Sequence, residues 1–152
     1  MHYDGTIWRP PYEAQSLLIQ ATAGCTHHSC KFCTLYEDLP FKFRMSPPEE
    51  VREDLAEAGR YCRNLPWLRV FFTGANPFVL TTDKLKTLAK MVGEYCPNYQ
   101  SIGCFGRITD ISTKSVDELK ELRALGYNGL TFGVETGDDE ALAFMNKGFR
   151  AS

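Results

Sequence analysis

Residues 68–74, with the sequence Leu68-Arg69-Val70-Phe71-Phe72-Thr73-Gly74, decide the fold class of this chain. The aromatic and β-branched residues of this short apolar run favour a strand, and Gly74 closes it. A helix is predicted to follow from Thr82 or Asp83, and Pro97 ends it. The inward face of that helix carries Leu85, Leu88, Ala89, Val92 and Cys96. A buried strand followed by an amphipathic helix is the repeating unit of an α/β fold.

The same unit is predicted three more times along the chain. The other apolar runs lie at residues 17–21, 101–106 and 130–134. Helix start signals follow them at Ser46 with Glu49, at Ser115 with Glu118, and at residues 138–140. Strands that are apolar on both faces and alternate with amphipathic helices predict parallel βαβ units with right-handed crossovers. The expected fold is therefore α/β, in a single domain over residues 1–152 with an irregular lead-in over residues 1–14.

Composition excludes several classes of function. Of the 152 residues, 43% are apolar, which suffices for one core, and the formal net charge of −2 indicates no nucleic acid and no anionic membrane partner. Residues 1–4 contain neither the basic nor the apolar segment of a secretory signal, and the longest aliphatic stretch covers only residues 17–19. We therefore expect a soluble cytoplasmic protein whose six cysteines are reduced thiols or metal ligands.

Three of these cysteines, Cys25, Cys30 and Cys33, lie in the loop after the first predicted strand. Ligands of parallel α/β folds collect at the carboxyl ends of the strands, so this loop is a favourable place for a site. Thiolates are soft ligands that suit an iron–sulfur cluster or zinc. Zinc requires a fourth ligand, which His27 or His28 could supply, whereas a cluster with three protein ligands leaves one iron free for a small molecule. Spacing alone leaves both open.

The pattern Cys25-x4-Cys30-x2-Cys33, with Phe32 between the last two cysteines, resembles the cluster loop of the radical S-adenosylmethionine (radical SAM) superfamily. The commoner spacing in that family has three residues between the first two cysteines, so this chain resembles the longer-spaced variant. Looser similarity to the oxygen-independent coproporphyrinogen oxidase and tRNA-modifying groups lies in residues 9–14 and 24–27. The resemblance covers residues 9–148 and implies the parallel (βα)4 portion of a partial TIM-like (βα)6 barrel. We accordingly expect a core domain truncated after its fourth βα unit.

The resemblance also implies the chemistry. In this family three thiolates hold a [4Fe–4S] cluster, and the fourth iron chelates S-adenosylmethionine. An electron from a donor such as flavodoxin or ferredoxin then cleaves it reductively to a 5′-deoxyadenosyl radical, which abstracts hydrogen from a substrate, here unknown. Phe32 matches the aromatic position beside the adenine. Gly74, Ala75 and Asn76 stand where the family has a Gly-Gly-Glu type segment that meets the methionine amino group. Glu135 matches a strand-four position that reaches the ribose or the amino-acid end.

The alternative hypothesis is a zinc-stabilised, non-catalytic α/β binding module that uses the same three cysteines and a histidine. A scaffold that keeps the cluster without reacting is a third reading, which the altered residues 75 and 76 suggest. Arg107, at the end of the third predicted strand, is a weaker candidate for a carboxylate or substrate contact. The remaining cysteines, Cys62, Cys96 and Cys104, are predicted to pack in the core.

Overall fold

The computed structural model describes residues 1–62 and 64–152 as a mixed α/β fold. The strands are β1 (Leu17–Gln20), β2 (Thr22–Gly24), β3 (Phe43–Met45), β4 (Arg69–Thr73), β5 (Ser101–Gly106) and β6 (Tyr127–Phe132). The α-helices are α1 (Pro48–Cys62), α2 (Thr82–Tyr95), α3 (Ile108–Ile111), α4 (Val116–Ala124) and α5 (Asp139–Phe144). Single 3-10 turns cover Pro11–Glu13 and Pro77–Val79. None of the helices in the described part of the chain combines the length and the apolar character needed to span a bilayer.

Four of the strands form one parallel sheet in the order β1-β4-β5-β6. Each strand therefore lies beside the one that precedes it in the chain, apart from the short β2 and β3. A strand order that never reverses is typical of a barrel wall, whereas a doubly wound sheet changes direction at a switch point. The predicted α/β class and the partial (βα) barrel are thus confirmed.

The main core lies between this sheet and the helices. Alternate residues of each strand point to opposite faces, so Val70 and Phe72 of β4 pack under the helices, with Leu55 of α1 and Leu85 of α2 in the same cluster. Tyr127 of β6 is 3% exposed and donates a hydrogen bond to the Leu85 carbonyl at 2.8 Å. The helical spacing seen in the sequence therefore marks the buried faces correctly.

The opposite face of the sheet, which would line the inside of a barrel, contains a buried carboxylate. Glu13 is 1% exposed, and its carboxylate accepts hydrogen bonds from Ser16 and, at 2.5 Å, from Arg69. It lies over Gly103 and Gly129, where any side chain would crowd it. The last part of the lead-in is therefore packed against the sheet at the amino-terminal end of β4.

Several predicted boundaries were wrong. The first strand ends at Gln20 rather than residue 21, and residues 22–24 form a separate strand, β2, which pairs antiparallel with β3. The fourth parallel strand begins at Tyr127 rather than residue 130 and ends at Phe132, since a register shift between Ile102 and Gly103 lets β5 pair with the earlier residues. The short helix α3 was not predicted. The predicted capping box at Ser115 and Glu118 is confirmed at the start of α4.

Candidate cofactor site

The three loop cysteines lie in the segment that joins β2 to β3. The backbone N–H of Cys25 donates to the Lys42 carbonyl at 2.9 Å, just before β3 begins. Gly24 has a φ of +75°, and a side chain there would overlap the Lys42 carbonyl, so glycine is required for this close approach. A turn bonds the N–H of Cys33 to the carbonyl of Cys30 at 3.2 Å. All three cysteines are half-buried free thiols.

These thiols share one cavity of about 310 Å³ at the carboxyl ends of the parallel strands. Its other walls come from the segments that follow β4, β5 and β6. Of the residues predicted to bind a cofactor, Phe32, Ala75 and Glu135 line it, and the weaker candidate Arg107 does so as well. A larger depression of about 550 Å³ lies at the amino end of β4. Among the residues that the structure describes, no cysteine, histidine or carboxylate lines it.

Gly74 and Asn76 do not line the cavity. Gly74 has a φ of +129°, and a side chain there would overlap the hydroxyl and carbonyl oxygens of Thr22, so this glycine serves the packing of β2 against the end of β4. Asn76 is 0% exposed. Its amide nitrogen donates to Thr26 Oγ1 at 2.8 Å and to Asp110 Oδ2 at 3.1 Å, and its oxygen accepts from the Thr26 backbone N–H at 3.3 Å. Asn76 thus ties the cysteine loop to the segment after β5.

A second attachment of the loop comes from residues 145–148, which we call the closing segment. The Lys31 N–H donates to the Met145 carbonyl at 3.0 Å. The Asn146 amide donates to the Ser29 carbonyl at 2.7 Å, and the His27 ring Nε2 lies 2.6 Å from the Asn146 carbonyl, to which it donates. The cysteine loop is therefore held from both sides, by Asn76 and by the closing segment.

The closing segment also brings a lysine into the cavity wall that the sequence did not single out. The Lys147 side chain is 12% exposed, and its Nζ donates to Glu135 Oε1 at 2.7 Å. The same ammonium lies 5.5 Å from the centre of the Phe32 ring, which is itself half exposed. The sequence signal at this position is Gly148, a residue type that favours the end of a helix, directly after Lys147. The helix α5 ends earlier, at Phe144.

Burial and charge act on the thiols in opposite directions. Burial raises the pKa of the Cys30 thiol above its ordinary value, and the Lys147 ammonium is the main influence that counteracts the rise. The neighbouring Cys25 and Cys33 raise the pKa of Cys30 further, while Arg107 lowers it. Thiols must lose their protons to bind a metal, so these two cations favour binding.

The donor set suits a group larger than one ion. Within residues 1–62 and 64–152, no three His, Cys, Asp or Glu side chains lie close enough to hold a single metal ion. Three soft thiols around one cavity fit an iron–sulfur cluster in which three of the irons are each bound by one cysteine. Of the two histidines considered as a fourth zinc ligand, His27 is bonded to Asn146, while His28 keeps a buried Nδ1 with no hydrogen-bond partner among the described residues.

Comparison with known proteins agrees with this geometry. The model of the Radical SAM superfamily matches residues 19–151. The chain is 27% identical over 125 residues to the heme chaperone HemW of Bacillus subtilis, a match that covers 76% of this chain and 31% of HemW. It is 26% identical over 133 residues to an uncharacterized methyltransferase of Synechocystis, with 87% of this chain and 24% of the relative covered. The chain thus spans less than a third of the length of the curated relatives it matches.

Proposed function

The chain belongs to the radical SAM superfamily, and from that membership we propose that Cys25, Cys30 and Cys33 hold a [4Fe–4S] cluster with one iron left for S-adenosylmethionine. When bound, the reduced cluster supplies the electron that cleaves S-adenosylmethionine to a 5′-deoxyadenosyl radical. The observation that carries this proposal is the convergence of the three thiols on one cavity at the carboxyl ends of the parallel strands. A substrate and an electron donor such as flavodoxin or ferredoxin complete the proposed reaction.

The other residues of the cavity have matching tasks in this proposal. The exposed face of Phe32 offers a stacking surface for a purine base. The Glu135 carboxylate can accept hydrogen bonds from ribose hydroxyls or from an amino group. Ala75 presents a short side chain that leaves room for the amino-acid end of the cofactor. Asn76 acts indirectly, because its amide group is fully used by Thr26 and Asp110.

Anaerobic reconstitution with iron and sulfide tests the cluster. We expect iron and acid-labile sulfide in equal amounts, a brown chromophore, and an electron paramagnetic resonance signal after reduction that changes when S-adenosylmethionine is added. Cys30→Ala should abolish the chromophore. The matched control is Cys62→Ala, because Cys62 lies at the end of α1 and does not line the cavity. Equal cluster content in wild type and Cys30→Ala would refute the assignment.

Cleavage is a separate question from cluster binding. Reduction of the loaded protein with dithionite in the presence of S-adenosylmethionine should release 5′-deoxyadenosine and methionine. A protein that binds the cluster and shifts its spectrum with S-adenosylmethionine, but releases no 5′-deoxyadenosine, would be a scaffold rather than an enzyme.

One observation favours the zinc-binding module as a second candidate. His28 has a φ of +46°, and its buried Nδ1 has no hydrogen-bond partner among the described residues, which leaves that nitrogen free to bind a metal. Because no three ligands in the described residues lie close enough to hold one ion, zinc would have to draw the cysteines and His28 together. Metal analysis of the purified protein separates the candidates. One zinc per chain, lost in His28→Ala together with thermal stability, would support the module, whereas iron with sulfide supports the cluster.

A further inference from the structure

Two cations lie beside the cysteines on the cavity wall, and one of them is paired with an acid. We propose that Lys147, assisted by Arg107 and opposed by Glu135, sets the reduction potential of the cluster. This inference rests on the proposed cluster. It assigns to the closing segment a task beyond shaping the loop, namely the electrostatic control of how readily the site accepts an electron.

The position of Lys147 is fixed by its backbone. Its N–H donates to the Leu142 carbonyl at 3.0 Å, and its own carbonyl accepts from Arg107 Nη2 at 2.8 Å. The residues on either side are held as well, since Asn146 is bonded to the cysteine loop and a side chain at Gly148 would crowd His27 and Arg107. Lys147 is therefore presented to the cavity by a turn whose backbone is hydrogen-bonded on both sides.

The side chain of Lys147 is equally constrained. Its ammonium is bonded to Glu135 and lies over the Phe32 ring, and only 12% of the side chain is exposed. Gly133 makes room for this pair, because a Cβ at position 133 would lie 2.6 Å from the Glu135 carboxylate and 3.2 Å from the Lys147 ammonium. A charge that is held in place and mostly shielded from water interacts more strongly with its surroundings than an exposed, mobile one.

The sign of the effect follows from the charges. Three thiolates surround the cluster, and reduction adds one more negative charge at the same place. A nearby cation stabilises the reduced form more than the oxidised form, and an anion does the opposite; net local charge is among the factors that set iron–sulfur potentials. Removal of the Lys147 charge should therefore lower the potential, and removal of the Glu135 charge should raise it.

The test is a redox titration of the anaerobically reconstituted protein without S-adenosylmethionine, followed by electron paramagnetic resonance. Lys147→Met keeps the length and apolar stem of the side chain, and Glu135→Gln keeps the shape of the acid. We expect the midpoint potential to fall in Lys147→Met, to rise in Glu135→Gln, and to return close to wild type in the double variant. The control is Lys120→Met on α4, whose exposed lysine pairs with Asp117 away from the cavity, and its potential should be unchanged.

Opposite shifts in the two single variants support the inference, because a loss of packing would not raise the potential in one and lower it in the other. Unchanged potentials, or shifts in the same direction, overturn it. If Lys147→Met does not retain the cluster, Lys147→Arg decides: a cluster with near wild-type potential supports the role of charge, and loss of the cluster there too contradicts it. Failure of the wild-type protein to assemble any cluster would instead refute the proposed function.

Discussion

Replacement of Asn76 by alanine should destabilise the protein strongly, although Asn76 contacts no cavity. The substitution removes two hydrogen bonds to Thr26 and one to the Asp110 carboxylate, all from a side chain that is 0% exposed. A neutral hydrogen bond contributes about 1 kcal/mol and one to a charged group about 1.5–3 kcal/mol, so two of the first kind and one of the second sum to roughly 3.5–5 kcal/mol. Thr26 is only half-buried and can recover part of this from water, so we expect a loss of about 3 kcal/mol.

Urea unfolding of the cluster-free protein, followed by circular dichroism, measures this loss. Asn128→Ala is the matched control, because Asn128 is exposed on β6, and it should change the free energy of unfolding by less than about 0.5 kcal/mol. A loss below about 1 kcal/mol in Asn76→Ala would refute the view that this amide anchors the loop.

The isosteric variant Asn76→Asp tests the electrostatic part of the same reasoning. It keeps the shape of the side chain but replaces the donor that lies 3.1 Å from Asp110 Oδ2 with a carboxylate oxygen. Repulsion between two buried carboxylates should destabilise the protein at neutral pH. The double variant Asn76→Asp with Asp110→Asn restores one donor and one acceptor, so it should recover part of the stability; no recovery would contradict the assigned pairing.

Three other variants or treatments test the surroundings of the site. Gly74→Ala should cost more than about 3 kcal/mol of unfolding free energy, since the added methyl overlaps Thr22 at a φ of +129°, whereas Gly137→Ala, with open space around it, should be close to neutral. The pKa of Glu118 is lowered chiefly by the backbone N–H of the N-cap residue of α4. The wild-type protein should therefore melt at a higher temperature than Glu118→Gln above about pH 4.5. This difference should disappear as the pH falls through the depressed pKa of Glu118 in the folded state. Burial raises the pKa of Cys104, so mass spectrometry after iodoacetamide treatment of the folded, cluster-free protein should find this thiol unmodified and the loop cysteines alkylated; modification of Cys104 at the same rate would contradict its burial.

Local patterns predicted the elements that local interactions determine. β5 occupies the predicted residues 101–106, and α4 begins at the predicted capping box, because apolar runs and N-terminal caps act within a few residues. The β2–β3 pair was missed because its partners are separated by the cysteine loop and pair through the backbone at Gly24. The start of β6 was missed because its pairing with β5 includes an extra residue, Asn128, between Tyr127 and Gly129. Strand pairings of this kind are set by tertiary contacts and cannot be predicted from a short stretch of sequence.

The same distinction explains the site. The prediction that the loop cysteines lie at the carboxyl end of the sheet needed only the strand order, since parallel strands bring those ends together. The position of Lys147 depends on how the residues after α5 pack against the cysteine loop. The position of strand ends in a parallel sheet does not predict that contact. Gly74 and Asn76 do lie at the end of the predicted strand. Their contacts could not be predicted from the sequence, because Gly74 packs against Thr22 and Asn76 is bonded to Thr26, and neither lines the cavity.

The two anchors of the cysteine loop explain why the site requires most of the chain to be folded. Asn76 is bonded to the loop across 50 residues, and the closing segment is bonded to it across 114 to 119 residues. Neither anchor contacts the loop until β4 and α5 are in place beside it. Contacts between residues so distant in sequence form only after the intervening chain has been ordered, which costs conformational entropy. The loop therefore depends for its shape on the sheet as well as on its own turn between Cys30 and Cys33. Any group bound by all three thiols would accordingly be linked thermodynamically to the folding of the four parallel strands.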